Sequence, residues 1–571
     1  MKLHPFSILS LAFCGWCPLG SAQATPREYN QNDRTEATLL KQTGLVGGNA
    51  KAKSKAAMSR NATAAAKATF AYPISRHYFA QGSGRSLQGA ISSGTLPGVG
   101  DDILIPNGSF SPNDNDPIFG TSVSMADDGS AIAIVGSVIV DTENDHYKSF
   151  VDVRDVTTGE LIGDRVYTET NEYPAIMRAL LSGDGKCLAV GAIHRPSETF
   201  SDLKSGVQVY ALEEVPDTGL NQMVDGWGKV GNFIDAGIAS DVPGQGLAIS
   251  MSTDGFSIVV GSRNFEGGKG KIRAFDISAN KDNWDKKSEL VGSDEQFQGT
   301  SVAMDKDGEY IASGSTGYVG GAAGHRKGSV VVYKKGGAKI GNTIVGEGED
   351  DECGFSVSLG RRSETVLRIA IGAILNDPTN DLIDAGHVRV FEIDVNTETE
   401  WTQVGTDIDG KKGLELNFED NLYHIGDYFG FSLDMSHDGT RVVAGAPFYS
   451  DNRASGYYSG RTAVYVLPGS DEDTANEELA STESRVLSIA STTDWEQFGD
   501  ALIGTEKTSS SGFSVAIARG GTNVIIGSGD NSEGDGSGKI SVYLGTQVSE
   551  SPSAFPSVSS QPSSVPSLTP S

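Results

Sequence analysis

FGFSLDMSHDGTRVVAGA, residues 429–446, decides the fold of this chain. Within it Phe431, Leu433 and Met435 alternate with Ser432, Asp434 and Ser436, the period of two that a β-strand produces. Asp438-Gly439 then marks a hairpin, read as a tight two-residue turn because glycine accepts the positive φ that such a turn demands. A second, more continuously apolar strand runs from Arg441 to Ala444 and ends at Gly445-Ala446. After a variable loop, GRTAVYVL (460–467) reads as a third strand.

The phrase occurs seven times. Other copies begin at Phe119, Ile176, Gln245, Gln298, Cys353 and Ser511, at intervals of roughly 55 to 80 residues. The third strand recurs as FVDVRDV (150–156), GVQVYAL (206–212), GKIRAFDI (270–277), GSVVVYK (328–334), GHVRVFEI (386–393) and GKISVYL (538–544). A fourth phrase, a hydrophobe-Gly pair, stands between units: IGDRVY (162–167), VGNFID (230–235), VGSDEQ (291–296), IGNTIVG (340–346), VGTDID (404–409) and FGDALIG (498–504). Four strands per unit make a propeller blade. A further copy, VGDDIL (99–104), precedes the first unit, while the last unit runs out near Leu544 without one. The expected fold is therefore all-β: a seven-bladed β-propeller of four-stranded blades over residues 97–546. Strand 99–105 is expected to complete the last blade and close the ring, with disordered tails on both sides. An open β-solenoid, the alternative, gives that leading strand no place.

The ends differ in material from the ring. Residues 1–24 read as a secretory signal peptide, with Lys2, an apolar run from Phe6 to Phe13 and small residues at Gly20, Ser21, Ala22 and Ala24. Residues 25–96 are an Ala/Lys-rich leader or pro-segment; residues 25–95 carry 10 basic and 3 acidic side chains, against 34 and 71 in residues 96–571. Residues 547–571 form a Pro/Ser-rich stalk that favours extended conformations and suits O-glycosylation. No transmembrane or lipid anchor is expected, and the reading places the protein outside the cell or in its wall. Asn61 and Asn107 open N-glycosylation sequons. Signal cleavage would remove Cys14 and Cys17, leaving Cys187 and Cys353 as lone packed thiols in different blades. A formal net charge of −29 disfavours nucleic acid as a partner, since an acidic surface repels phosphate.

Motifs for enzyme chemistry are few. Ser356 and Ser432 follow Gly-Phe but lack the second glycine of a nucleophile elbow. Equivalent serines recur at Ser122, Ser301 and Ser514, so their expected task is hydrogen bonding within or between blades. The eight histidines form no HxH or HExxH pair. Trp227, Trp401 and Trp495 share the pattern W-x-x-hydrophobe-G, a register that suits blade-to-blade packing better than a sugar site. Loops on the face bearing the blade crossovers are rich in carboxylate. Asp351, Asp427, Asp377, Asp381, Asp384, Asp530 and Asp535 are the candidate ligands for Ca2+, which takes six to eight oxygens; turn-capping and a solvated acidic rim compete with that reading.

The order F-G-x-S-V, D-G, G-A, G-x-V-x-V-Y over about 119–546 resembles the FG-GAP repeats of the integrin α-subunit β-propeller. The likeness is strongest at Phe119-Gly120, Phe429-Gly430, Gly372-Ala373 and Gly445-Ala446. FG-GAP repeats that hold calcium carry D-x-[DN]-x-[DN]-G in the first hairpin. Here those hairpins shorten to Asp128-Gly129, Asp184-Gly185, Asp254-Gly255, Asp307-Gly308 and Asp438-Gly439, so the family's calcium site is not carried over. The Pro-Ser tail is similar in composition to tails of secreted and wall proteins of diatom-like algae. The repeat architecture, the secretory signal and the stalk-like tail point to an extracellular recognition or adhesion module, a monomer that binds a protein or glycan through its loop face, with cations among the loop carboxylates as an accessory. The alternative is a secreted hydrolase or lyase with an axial site, and a structural cell-wall component is a third reading.

Overall fold

The computed structural model describes residues 115–544 except 142–145, 168–175, 195–203, 218–221, 240–246, 318–325, 380–381, 419–420, 451–457, 469–493, 505–509, 522 and 529–538. Its strands form seven antiparallel blades in chain order. Blade 1 comprises Asn115–Met125, Ala131–Asp141, His146–Asp155 and Val166–Tyr167. Blade 2 comprises Ile176–Leu181, Cys187–His194, Lys204–Asp217 and Gln222–Ala239. Blade 3 has Leu247–Met251, Ser257–Ser262, Lys271–Ile277 and Trp284–Val291; blade 4 has Gln298–Met304, Tyr310–Ser315, Ser329–Lys334 and Lys339–Val345. In blade 5, Cys353–Arg361, Val366–Ala373 and His387–Asp394 pair with an outer strand split into Thr402–Gln403 and Ile408–Asp409. Blade 6 repeats that split, with Ser432–Met435, Arg441–Ala446 and Arg461–Val466 followed by Glu496–Gln497 and Leu502–Ile503. Blade 7 shows Ser511–Ile517, Asn523–Ser528 and Lys539–Leu544; the expected closing strand 99–105 lies outside the described residues.

The second strands read as continuous apolar runs because both of their faces are covered, as in SIVVGS (257–262), which is buried throughout. Among the described residues burial falls into eight hydrophobic clusters, one in each of the seven seams between adjacent blades and one, around Ile374, Phe431 and Phe513, that joins blades 5 to 7. The seam between blades 7 and 1 packs Ala516, Ile525, Ile540 and Val542 against Val123, Ile132 and Phe150, which closes the ring by side-chain packing.

The repeated phrase is a device for joining blades. The phrase's glycine sits at positive φ in a bulge that opens the first strand, for example Gly299 (φ 79°) and Gly354 (φ 88°). Its carbonyl turns toward the preceding blade and accepts that blade's serine hydroxyl. Ser301 donates to Gly354 at 2.8 Å, Ser356 to Gly430 at 2.5 Å, Ser432 to Gly512 at 2.7 Å, and Ser514 to Gly120 at 2.8 Å across the closing seam. Ser122 instead accepts the Ala179 N–H at 3.3 Å. The Gly of the Gly-Ala pair lies beneath this carbonyl, with no room for a side chain.

The hydrophobe-Gly pair is a second joint, toward the outside. Gly231, Gly341 and Gly405 have φ of 66–73°, which kinks the outer strand, and the next blade's tryptophan occupies the space a side chain would need. Trp227, Trp401 and Trp495 donate their indole N–H to the carbonyls of Ile162, Ile340 and Val404 at 3.0, 3.3 and 2.9 Å. Trp284 makes the same contact with Val230 at 3.3 Å, although its spacing from the next Gly hid it from the sequence pattern. In blade 3 the Val291-Gly292 pair falls at the end of the outer strand rather than inside it.

Two further details depart from expectation. The D-G hairpins are longer than two residues: Ser436 N–H donates to the Arg441 carbonyl, and Gly439 N–H donates back to Ser436, leaving a four-residue loop. Gly439 keeps its positive φ of 70° but follows the turn instead of forming its centre. An additional hairpin, Lys412–Phe418 with Asn421–Gly426, lies in the crossover from blade 5 to blade 6.

Candidate functional site

The hairpin loops bring one residue from each blade to the axis: the residue that precedes Asp-Gly in five blades, and Arg361 and Arg519 in blades 5 and 7, where Asp-Gly is absent. Their backbones join around it. Asp127 N–H donates to Gly183, Gly183 to Thr253, and Thr253 to Lys306; Arg361 donates to His437, His437 to Arg519, and Arg519 to Asp127. Between Lys306 and Arg361 the link is made by a side chain, with Arg361 Nη1 3.3 Å from Asp305 Oδ2 and 2.6 Å from Asp307 Oδ2. Blade 5 lacks the D-G hairpin, and its Arg361 answers the neighbour's aspartates instead.

The aspartates of the D-G pairs fold back on their own turns. Asp438 Oδ1 accepts from Ser436 Oγ and Thr440 N–H, Asp184 from Ser182 and Lys186 N–H, and Asp254 from Ser252 and Phe256 N–H. At Asp128 the Ser130 hydroxyl and N–H hold the carboxyl below its ordinary range. With those carboxylates occupied, the variable residues of the ring set its chemistry: Asp127, Gly183, Thr253, Lys306, Arg361, His437 and Arg519.

His437 Nε2 lies 3.3 Å from Asp127 Oδ1, and Arg519 Nη1 lies 3.7 Å from the other oxygen of the same carboxylate. The imidazole is about a quarter exposed. Burial holds its pKa below the ordinary histidine value, with Arg519 and Lys306 adding to the shift and Asp127 and Asp438 opposing it. A Cβ at Gly183 would run into Asp127 Oδ2 and the Thr253 methyl, so a side chain there displaces the Asp127 carboxylate. Deeper along the same inner strand, burial pushes the Asp434 carboxyl up; it bridges blades 5 to 7 by accepting from Ser358 Oγ at 2.9 Å and Ile517 N–H at 3.0 Å.

On the opposite face the carboxylates named from sequence divide. Asp427 is fully buried against Arg461, whose Nε and Nη2 lie 3.2 and 3.0 Å from its Oδ2, and Lys411 N–H donates to its Oδ1 at 3.0 Å. Asp351 accepts from Gly348 N–H at 2.6 Å and from Asn376 at 3.3 Å. Asp377 accepts the Asp384 N–H at 2.8 Å. Asp381, Asp530, Asp535, Asn61 and Asn107 lie outside the described residues. Cys187 and Cys353 are free thiols; burial pushes Cys353 up to about 11. Among the described residues no helix is long and apolar enough to cross a membrane.

Sequence reading missed His437, Asp127, Arg519 and Lys306. The available signal was variation: in five blades x-D-G repeats its last two positions while x changes charge, and Arg519 holds the same place before Gly520-Gly521.

No family model and no curated protein matches the chain, so the FG-GAP likeness rests on the motif residues alone. Among solved structures it is similar to Sqt1 from Chaetomium thermophilum, at 13% identity and a TM-score of 0.39, over 76% of this chain and 88% of that one. A Bacteroides fragilis protein provisionally assigned as a 6-phosphogluconolactonase matches at 12% identity and a TM-score of 0.36, over 68% and 85% of the two chains. Likenesses this distant carry no argument about activity.

Proposed function

We propose that the hairpin-face mouth of the axis is the working site of a secreted hydrolase or lyase, and that it takes the carboxylate end of an anionic substrate. One observation supports this reading above the others: His437, Arg519 and Lys306 converge with Asp127 on the axis of a chain whose net charge is −29. Arg519 and Lys306 supply the positive charge. Arg361 contributes less, since Asp305 and Asp307 already engage it. The aspartates of the surrounding turns repel an anion lying across the face, so the ligand enters end-on. His437, neutral at pH 7, takes up a proton when the anion arrives, and Asp127, 3.3 Å from Nε2, stabilises the imidazolium that results. An arriving carboxylate raises the imidazole pKa, so binding takes up a proton and tightens as pH falls.

The test is calorimetric titration of the full chain with an oligouronate and a neutral oligosaccharide of equal length, in buffers of different ionisation enthalpy. The expected result is binding of the acidic probe with proton uptake, lost in Arg519→Gln and reduced in His437→Asn, and release of a product bearing a new reducing end. Equal binding of both probes, or binding untouched by either substitution, refutes the reading.

A second reading is recognition of an extracellular protein or glycan by the opposite face, with calcium among its carboxylates as an accessory. It is supported by the aromatic group at that end of the axis. Phe431 packs at a tilt against Phe355 and Phe513, at 5.3 and 5.2 Å between centroids, and the half-buried Phe448 bridges Phe431 and Tyr458.

A further inference from the structure

Blade 5 breaks the charge pattern of the ring on its loop face. In blade 6 the residue after the glycine opening the third strand is Arg461, and it pairs with Asp427, two residues before Phe429-Gly430. The corresponding residues of blade 5 are His387 and Asp351, two before Cys353-Gly354. Asp351 is taken up by Gly348 and Asn376 instead. His387 is left 1% exposed, and neither ring nitrogen has a hydrogen-bond partner among the described residues. A buried imidazole with two unused polar atoms is costly unless something completes it.

What faces it is carboxylate. Asp407, in the break of the blade 5 outer strand, has Oδ2 3.6 Å from His387 Nδ1. Glu347, in the crossover leaving blade 4, is exposed and completes a group whose ligand atoms all lie within 4.8 Å of one another. We propose that His387, Asp407 and Glu347 form a divalent transition-metal site of the zinc class, with one imidazole nitrogen, two carboxylate oxygens and a fourth position open to solvent.

Zinc–ligand bonds of about 2.0–2.2 Å place tetrahedral ligand atoms about 3.4 Å apart. His387 and Asp407 stand close to that spacing, and Glu347, on a flexible exposed side chain, has at most about 1.4 Å to close. The donor set argues for zinc over calcium, which prefers six to eight oxygens and rarely takes imidazole. Arg389 holds Glu347 at 3.2 Å through Nη1, while its Nη2 donates to the Val345 carbonyl at 2.9 Å. Binding therefore requires the carboxylate of Glu347 to leave Arg389 for the ion, and the Val345 contact keeps Arg389 in place when it does. Cys353, buried behind Arg389, stays a thiol outside the donor set. The site does not depend on the axial reading, and it lies on the other face.

The test is equilibrium dialysis of the full chain against micromolar zinc, manganese or calcium, with bound metal counted by mass spectrometry. Glu347→Gln and Asp407→Asn change exposed or half-exposed side chains and leave the fold intact, which a melt in EDTA verifies. The expected result is one zinc per chain, a rise in melting temperature with zinc that EDTA reverses, and at least tenfold weaker retention in both variants and in His387→Gln. Sub-stoichiometric zinc in the unsubstituted chain overturns the proposal. So does equal retention by Glu347→Gln and Asp407→Asn, or preference for calcium.

Discussion

Gly445→Ala tests the inter-blade joint most directly. Gly445 lies in the middle of blade 6, paired with Ser432 on one side and Thr462 on the other, so its backbone is held from both directions. Its φ is not in the left-handed region, and alanine in a strand would ordinarily add about 0.4–1 kcal/mol of stability by restricting the unfolded chain. Here a Cβ would overlap the Gly512 carbonyl oxygen, and it would stand 2.6 Å from Ser432 Oγ and 2.8 Å from the Gly512 carbonyl carbon. Two of these obstacles are backbone, so blade 7 must retreat by on the order of 1 Å. Overpacking of that kind costs about 1–3 kcal/mol. The retreat also weakens the Ser432–Gly512 hydrogen bond, worth about 1 kcal/mol. The net expectation is a loss of about 2–3 kcal/mol. In a ring of this size that lowers Tm by only a few degrees, so the assay is a urea titration followed by tryptophan fluorescence. Gly336→Ala is the control, because nothing lies within 4 Å of a Cβ there. Matching midpoints for the two variants would refute the account of the Gly-Ala motif as a space-making element.

Two other expectations follow from buried charge. Asp427→Asn leaves Arg461 buried without its counter-ion and should cost about 3–5 kcal/mol in the same urea assay, while a loss under 1 kcal/mol would mean that the pair is solvated. His437 has a folded pKa below its unfolded value, so its contribution to stability is complete above the unfolded pKa and is lost as pH falls through the folded one. Urea midpoints should therefore drop between neutral pH and about pH 5 by more in the unsubstituted chain than in His437→Asn, and parallel curves would rule out a depressed imidazole.

The sequence by itself determined the architecture, because each part of a blade is local. Period-two runs recur seven times and D-G turns five times, each within one short stretch of chain, and that repetition makes them legible. It also marked Ser356, Ser432 and the tryptophans as structural through their repetition. The closing strand, the loop carboxylates at 530 and 535, and both tails fall where the structure describes nothing. The tertiary structure alone decided the sites, because neither is local. His437 meets Asp127 only when the ring closes, bringing together residues at opposite ends of the propeller sequence. Glu347, His387 and Asp407 come from a crossover, a third strand and an outer strand, and only the packing of blade 4 on blade 5 brings them within one ion's reach. A repeat pattern reveals what every blade shares; chemistry falls to the positions where blades differ, and their meaning depends on which neighbours the closed ring provides.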